Sequence, residues 1–241
     1  QESVMVDSAM AGVDTTVLGA VGDIPRKPWY VSFGELLRKQ PLGAAGGLIV
    51  LVMLLATVFA NVLSPYDPEL ASFENMLVPP SADFWFGTDA FGRDILTRII
   101  YGARTALFVG FTAAFVGATA GLVLGVASAY FGGLFDLIFQ RVVDVIMAFP
   151  LIVLALAVVA TLGASTTNVI IAITIPFIPQ CARVVRSSAL AIREIPYIDA
   201  ARALGFGHAR IILRHMVPNV MAPYLIMLTT FVGHAILLEA S

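Results

Sequence analysis

Charge is what this chain has least of. Only 14 lysines and arginines and 16 aspartates and glutamates occur in 241 residues, or 12% charged, where soluble domains carry about 25%. Hydrophobic residues make up 59% and mean hydropathy is +0.92, so the chain reads as an all-α integral membrane protein. The net charge of -2 gives no basic surface for nucleic acid. The single cysteine, Cys181, excludes a disulfide framework within the chain and any multi-cysteine metal site. Three histidines, His208, His215 and His234, speak against a zinc centre. The only lysines, Lys27 and Lys39, each follow an arginine, so no Gly-Lys-Ser/Thr phosphate loop exists. Gly-x-Ser-x-Gly and His-Glu-x-x-His are also missing. No catalytic residue, metal ligand or cofactor-binding residue is therefore expected in this polypeptide.

Long apolar runs fill the rest. Residues 1–41 form a mixed polar tail with Pro25 and Pro28, and Arg26, Lys27, Arg38 and Lys39 gather ahead of the first run. Leu42 to Leu63 contains no charge; as a helix it would extend roughly 33 Å, enough to cross a bilayer. Further spans are expected near 105–129, 137–162, 166–185 and 217–238, giving five and a transmembrane domain over 42–241. A first apolar run starting some forty residues in reads as a retained span rather than a cleaved signal.

Positive charge sets the expected orientation. Arg26, Lys27, Arg38, Lys39, Arg141, Arg183, Arg186, Arg193, Arg202, Arg210 and Arg214 fall on one side, against Arg93, Arg98 and Arg104 on the other. The second side also holds Asp67, Glu69, Glu74, Asp83, Asp89 and Asp94. The bias of cytoplasmic loops toward Lys and Arg places the N-terminus and the 186–216 loop in the cytoplasm and the 64–104 loop outside. Five spans would leave Ser241 outside, and a sixth span is expected beyond it.

Small residues recur within the spans. Gly117, Gly121 and Gly125 lie at i, i+4, i+8, and Gly43 and Gly47 form another pair. In lipid such stripes let helices approach closely; a gliding surface during transport is the alternative. Pro150, Pro176, Pro179 and Pro223 should kink spans or mark their ends. Arg141 and Asp144, one turn apart, are expected to form a structural ion pair near an inner span end, with Asp136 nearby. A proton relay has no continuing line of buried acids, and His234 and Glu239, five residues apart, do not share a helix face. The mid-membrane acids and internal repeats of a secondary transporter are not seen.

The most informative segment runs from Ile195 to Asn219. It reads as two short helices joined at glycine, too polar for lipid and too well patterned for an idle loop. Pro196 suits a first helical turn and Gly205 a left-handed helix end. Tyr197, Ala200, Ala201 and Leu204 recur at i, i+3, i+4, i+7, an apolar face whose alanines would let a partner approach. A helix pair lying on the membrane surface would instead want bulky residues at Ala200 and Ala201.

These residues carry a resemblance. Asp199-Ala200-Ala201, Gly205, Ile211, Leu213 and Pro218 resemble the Glu-Ala-Ala loop of permease subunits of bacterial ATP-binding-cassette importers, with Asp199 where glutamate is usual. Leu63-Ser64-Pro65-Tyr66-Asp67-Pro68, Phe86-Gly87-Thr88-Asp89, Gly92 to Arg98, Tyr101-Gly102-Ala103-Arg104 and Arg141 to Asp144 followed by Ala148-Phe149-Pro150 are similar to the "C" permease of dipeptide, oligopeptide and nickel importers. The likeness covers roughly residue 36 onward. It implies a multi-pass inner-membrane subunit paired with a second homologous permease, two cytoplasmic ATPase subunits that bind ATP and Mg, and an extracytoplasmic solute-binding protein. Tyr197, Asp199, Ala200, Ala201, Leu204 and Gly205 would couple to the ATPase, and Asp89, Arg93 and Asp94 would meet the binding protein. The implied cargo is a dipeptide or oligopeptide, with nickel or another small solute as the alternative.

Overall fold

In a computed structural model the chain is described over residues 38–64 and 66–240. The expectations placed on the tail ahead of Arg38, on Pro65 and on Ser241 lie outside the described residues. Regular structure among these residues is helical, apart from one isolated bridge between Thr88 and Asp94. The chain divides into two compact units, residues 1–52 and 53–241. The described part of the first is the start of a single apolar helix, α1 (Pro41–Val58).

The second unit takes over at Met53. A short helix α2 (Ala60–Leu63) follows a break at Phe59, whose N–H still reaches the Leu55 carbonyl at 2.9 Å. Together α1 and α2 occupy the first expected span. Helix α3 (Ile95–Phe131) then runs for 37 residues, roughly 55 Å. It starts ten residues ahead of the expected 105–129 span. Asp94 is the reason: its carboxylate accepts the Thr97 N–H at 2.8 Å and caps the first turn. The loop expected over 64–104 therefore ends at Asp94, and Arg98 and Arg104 are helical residues.

The expected 137–162 span is not one helix. It is α4 (Gly133–Met147) and α5 (Leu151–Leu162), bent by 87° across Ala148-Phe149-Pro150. Pro150 has no N–H and drives the residue before it away from the helical region, so the chain turns there. Hydropathy sums composition and is blind to direction.

Helix α6 (Thr166–Arg193) is capped by Ser165, which accepts the Asn168 N–H, and continues eight residues past the expected end at 185. It contains Pro176 and Pro179 without ending. The segment expected to begin at 186 is still helical to Arg193, and the break comes at Glu194. Helix α7 (Pro196–Ala203) comes next, then α8 (His208–Ile211), a π-helical turn Ile212–Met216, a 3-10 turn Val217–Val220, and α9 (Met221–Glu239). Pro41–Val58, Ile95–Phe131, Thr166–Arg193 and His208–Glu239 are each long and apolar enough to cross a membrane, and the bent α4–α5 pair is a fifth crossing if taken as one.

The core lies where α3, α6 and α9 meet. A Cβ on Gly117 would come 2.8 Å from Phe177 Cβ, one on Gly121 would come 2.6 Å from Cys181 Cβ, and one on Gly125 would come 2.6 Å from the Ala182 carbonyl. The glycine stripe read from the sequence is thus the seam between α3 and α6, where bare backbone permits close approach. Phe177 of α6 stacks on Phe231 of α9, ring centroids 4.1 Å apart. Thr119 and Tyr224 share a hydrogen bond of 3.1 Å between α3 and α9. Three helices so interlocked leave little room for one to shift alone.

Candidate functional site

Helix α7 gathers the residues singled out in the Ile195–Asn219 segment. Pro196 occupies its first turn, where a missing N–H leaves nothing unsatisfied. Its far end is a Schellman turn: the Gly205 N–H reaches the Arg202 carbonyl at 2.9 Å and the Phe206 N–H reaches the Ala201 carbonyl at 3.1 Å. Gly205 sits at φ +75°, a conformation a side chain would strain.

The helix has a back and a front. Ile198 and Ala201 are buried, in one core cluster with Ile211 and Met216. Tyr197, Ala200 and Leu204 are exposed at i, i+3, i+7, Leu204 at 74%, and the Asp199 carboxylate is exposed beside them. The face read from the sequence therefore divides. Ala201, expected to meet a partner, belongs to the buried back, because 198 and 201 are the pair that shares one side with the core. The small residue on the free front is Ala200.

Polar contacts fasten α7 and the residues on either side of it. At the end of α6, Arg193 donates to the Ala129 carbonyl of α3 at 2.8 Å and pairs with Glu194 at 3.0 Å. Tyr130 of α3 hydrogen-bonds His208 Nδ1 at 2.7 Å, and the Arg202 guanidinium lies 5.5 Å from the centre of the Tyr130 ring. Arg202 also pairs with Asp199 at 3.0 Å. On the other side the Tyr197 hydroxyl donates to the His215 carbonyl at 3.3 Å, and Asn219 donates to that carbonyl at 2.6 Å and to the Tyr197 hydroxyl at 3.1 Å. Phe206 stacks on His215, with Arg210 4.5 Å from the Phe206 ring centre. The anchors Tyr130, Arg193, His215 and Asn219 were not among the residues expected to matter. Tyr130 is distant in sequence, and only the fold brings it here.

A second polar cluster lies at the same end. Arg141 approaches Asp144 only to 3.9 Å, with both side chains more than half exposed. The closer partner of Asp144 is Arg183 at 2.6 Å. The better-shielded pair is Asp136 with Arg186, joined through two hydrogen bonds and supplemented by a bond from Ser128. Both pairs tie α4 to α6, a long-range arrangement that one-turn spacing does not reveal. Among the described residues, no three His, Cys, Asp or Glu side chains converge on a metal-sized site.

At the opposite end, residues 66–94 form an ordered cap over the start of α3. Asp89 is its hub. It accepts the N–H groups of Phe91 and Arg93 at 2.8 and 3.0 Å, pairs with the Arg93 guanidinium at 2.8 Å and is bonded by Arg98. Desolvation opposes the charged form, but these backbone and guanidinium donors outweigh it and hold the Asp89 carboxyl well below the usual carboxylate range. Gly92, at φ +72°, lies so close to the Ser72 carbonyl that a Cβ would overlap it. Asp94 is 6% exposed and serves the Thr97 N–H and hydroxyl, while Thr97 in turn meets Ser64 at 2.7 Å. Of the three residues expected to contact a binding protein, Asp89 and Arg93 are paired with each other. Asp94 is a buried helix cap and presents no surface to a partner.

Comparison with known proteins adds to this geometry. Residues 117–241 match the model of the binding-protein-dependent transport system inner membrane component, and residues 31–80 match the N-terminal transmembrane domain of oligopeptide transport permease C. A dipeptide transport system permease protein of Alkalihalophilus pseudofirmus is 42% identical over 89% of this chain and 70% of its own length. A glutathione transport system permease protein of Escherichia coli is 38% identical over 91% of the chain and 72% of the relative. A Brucella suis protein named for a peptide transport system permease is 42% identical over 91% of the chain and 73% of the relative.

Proposed function

The chain belongs to the binding-protein-dependent transport system inner membrane components, and from that membership we propose that it is the C-type permease subunit of an ATP-binding-cassette importer of peptides. It provides half of a path through the inner membrane, beside a second homologous permease. Two ATPase subunits bind ATP and Mg outside this chain, and a solute-binding protein delivers cargo on the far side. The dipeptide and glutathione named for its relatives support a short peptide as cargo. The N-terminus and α7 lie in the cytoplasm in this reading, supported by the arginines at 183, 186, 193, 202, 210 and 214 against the acids of 66–94.

One observation supports the coupling role: α7 buries Ile198 and Ala201 on its back, is tied by Arg202 to Tyr130 of α3 and by Tyr197 to His215 and Asn219, and leaves Ala200 and Leu204 exposed on its front. ATP-driven closure of an ATPase pair moves whatever is seated on it. A helix held through Tyr130, His215 and Asn219 resists yielding locally, so a push on Ala200 and Leu204 is passed to α3 and to the segment that leads into α9. The path then alternates between outward-open and inward-open states, with ATP binding supplying the differential free energy. Ala200→Trp, in the complete transporter in proteoliposomes, should insert normally and abolish ATP-driven uptake of a labelled dipeptide. Undiminished uptake would show that the front of α7 is not the seat.

A further inference from the structure

Arg104 is a charge at the edge of the hydrocarbon with no partner from the described chain. It is exposed, and no hydrogen bond or ion pair from a described residue reaches it. Its depth follows from α3. The Tyr101 hydroxyl, one turn nearer the helix start, bonds Asn61 of α2 at 3.0 Å, close to the end of the first apolar run. From Arg104 to the end of α3 is 27 residues, roughly 40 Å of helix, which spans the hydrocarbon and one interface. A helical side chain leans toward the N-terminus of its helix. The Arg104 stem therefore carries its guanidinium toward the membrane face opposite α7, to about the level of Tyr101.

Directly beside it is a groove of about 520 Å³, lined by Leu54, Thr57, Val58, Leu107, Phe108 and Phe111 as well as Arg104. Its walls are apolar apart from two threonines, and Thr57 already donates its hydroxyl to the Leu54 carbonyl at 2.9 Å. A groove with one cation at its interfacial rim and hydrocarbon walls below matches an amphiphile with an anionic head and an acyl tail. We propose that Arg104 and this groove bind one anionic phospholipid, the phosphate on the guanidinium and an acyl chain along Leu54, Leu107 and Phe111. The guanidinium fork suits a phosphate, which it can hold through two hydrogen bonds. An arginine near a helix end extends to the interface, and a lipid phosphate is the counter-ion a bilayer supplies there. This site stands apart from α7 and does not depend on the coupling role.

Native mass spectrometry of the full chain released from nanodiscs of phosphatidylglycerol and phosphatidylcholine tests it. Wild type should retain one phosphatidylglycerol per chain in preference to phosphatidylcholine. Arg104→Gln should lower that retention about fivefold, while Arg104→Lys, which keeps the charge without the fork, should fall between. Circular dichroism of each variant guards against misfolding. Equal retention by wild type and Arg104→Gln would overturn the proposal. So would a map of the assembled transporter in lipid that shows a carboxylate of another polypeptide on Arg104.

Discussion

Single residues decide whether the bundle closes and whether the cap over α3 holds. Gly121 is the tightest test of the α3–α6 seam, since a Cβ there would meet Cys181 Cβ at 2.6 Å and the Ile178 carbonyl at 2.8 Å. Gly121→Ala should destabilise the chain by about 1–3 kcal/mol, as overpacking does, seen as a lower thermal midpoint in detergent. Gly233→Ala, where nothing lies within 4 Å, should not. Asp89 predicts a pH signature. Because its folded-state pKa is depressed, its contribution is complete above about pH 4, the ordinary aspartate range, and is lost as pH falls toward the folded value. The stability gap between wild type and Asp89→Asn, followed by Trp85 emission in a Trp29→Phe background, should stay constant from pH 8 to about 4 and shrink below. A gap that changed between pH 8 and 5 would assign it to another group. At this scale the sequence was informative for Gly205 and for the glycine stripe, because local conformation and helical spacing are enough to place them. It was misleading for Ala201, and for Asp144 it found the weaker of two partners, Arg141. Which side of α7 meets the core, and that Asp144 turns to Arg183 and Asp136 to Arg186, depend on how distant helices pack.

Elements were legible where composition and length coincide with geometry. The spans at 42–63 and 166–185 follow from apolar runs, the first broken at Phe59 and the second running eight residues further than expected. The 137–162 run is apolar as expected but bent by 87° at Ala148-Phe149-Pro150, a turn that leaves hydropathy unchanged and of which Pro150 was the mark. Helix α7 is the element whose two faces make opposite predictions. Ile198→Ala removes a fully buried side chain and should cost about 2–5 kcal/mol of stability. Ala200→Trp, on the exposed front, should change stability by no more than about 0.5 kcal/mol yet uncouple ATP hydrolysis from uptake. Thermal unfolding and ATPase assays on the same two variants would separate seat from lever. If Ile198→Ala were neutral and Ala200→Trp strongly destabilising, the faces would be reversed.

The unit from Met53 onward packs α3, α6 and α9 into one core, with α7 set against one end of it. Its family membership is carried by sequence over most of the chain. Its proposed action rests on α7 being tied to Tyr130 of α3 and to His215 and Asn219 ahead of α9 while its front meets a nucleotide-driven partner. The most direct measurement is labelling of single cysteines at Ala200, Leu204 and Ile198 by a water-soluble maleimide in the assembled transporter, with the buried Cys181 as an internal blank. In the chain alone, Ala200→Cys and Leu204→Cys should label rapidly and Ile198→Cys slowly. With the ATPase subunits bound, the first two should become protected at least tenfold and a bifunctional reagent should join them to an ATPase subunit. Ala200→Cys and Leu204→Cys labelling at the same rate in an actively transporting complex would contradict the account.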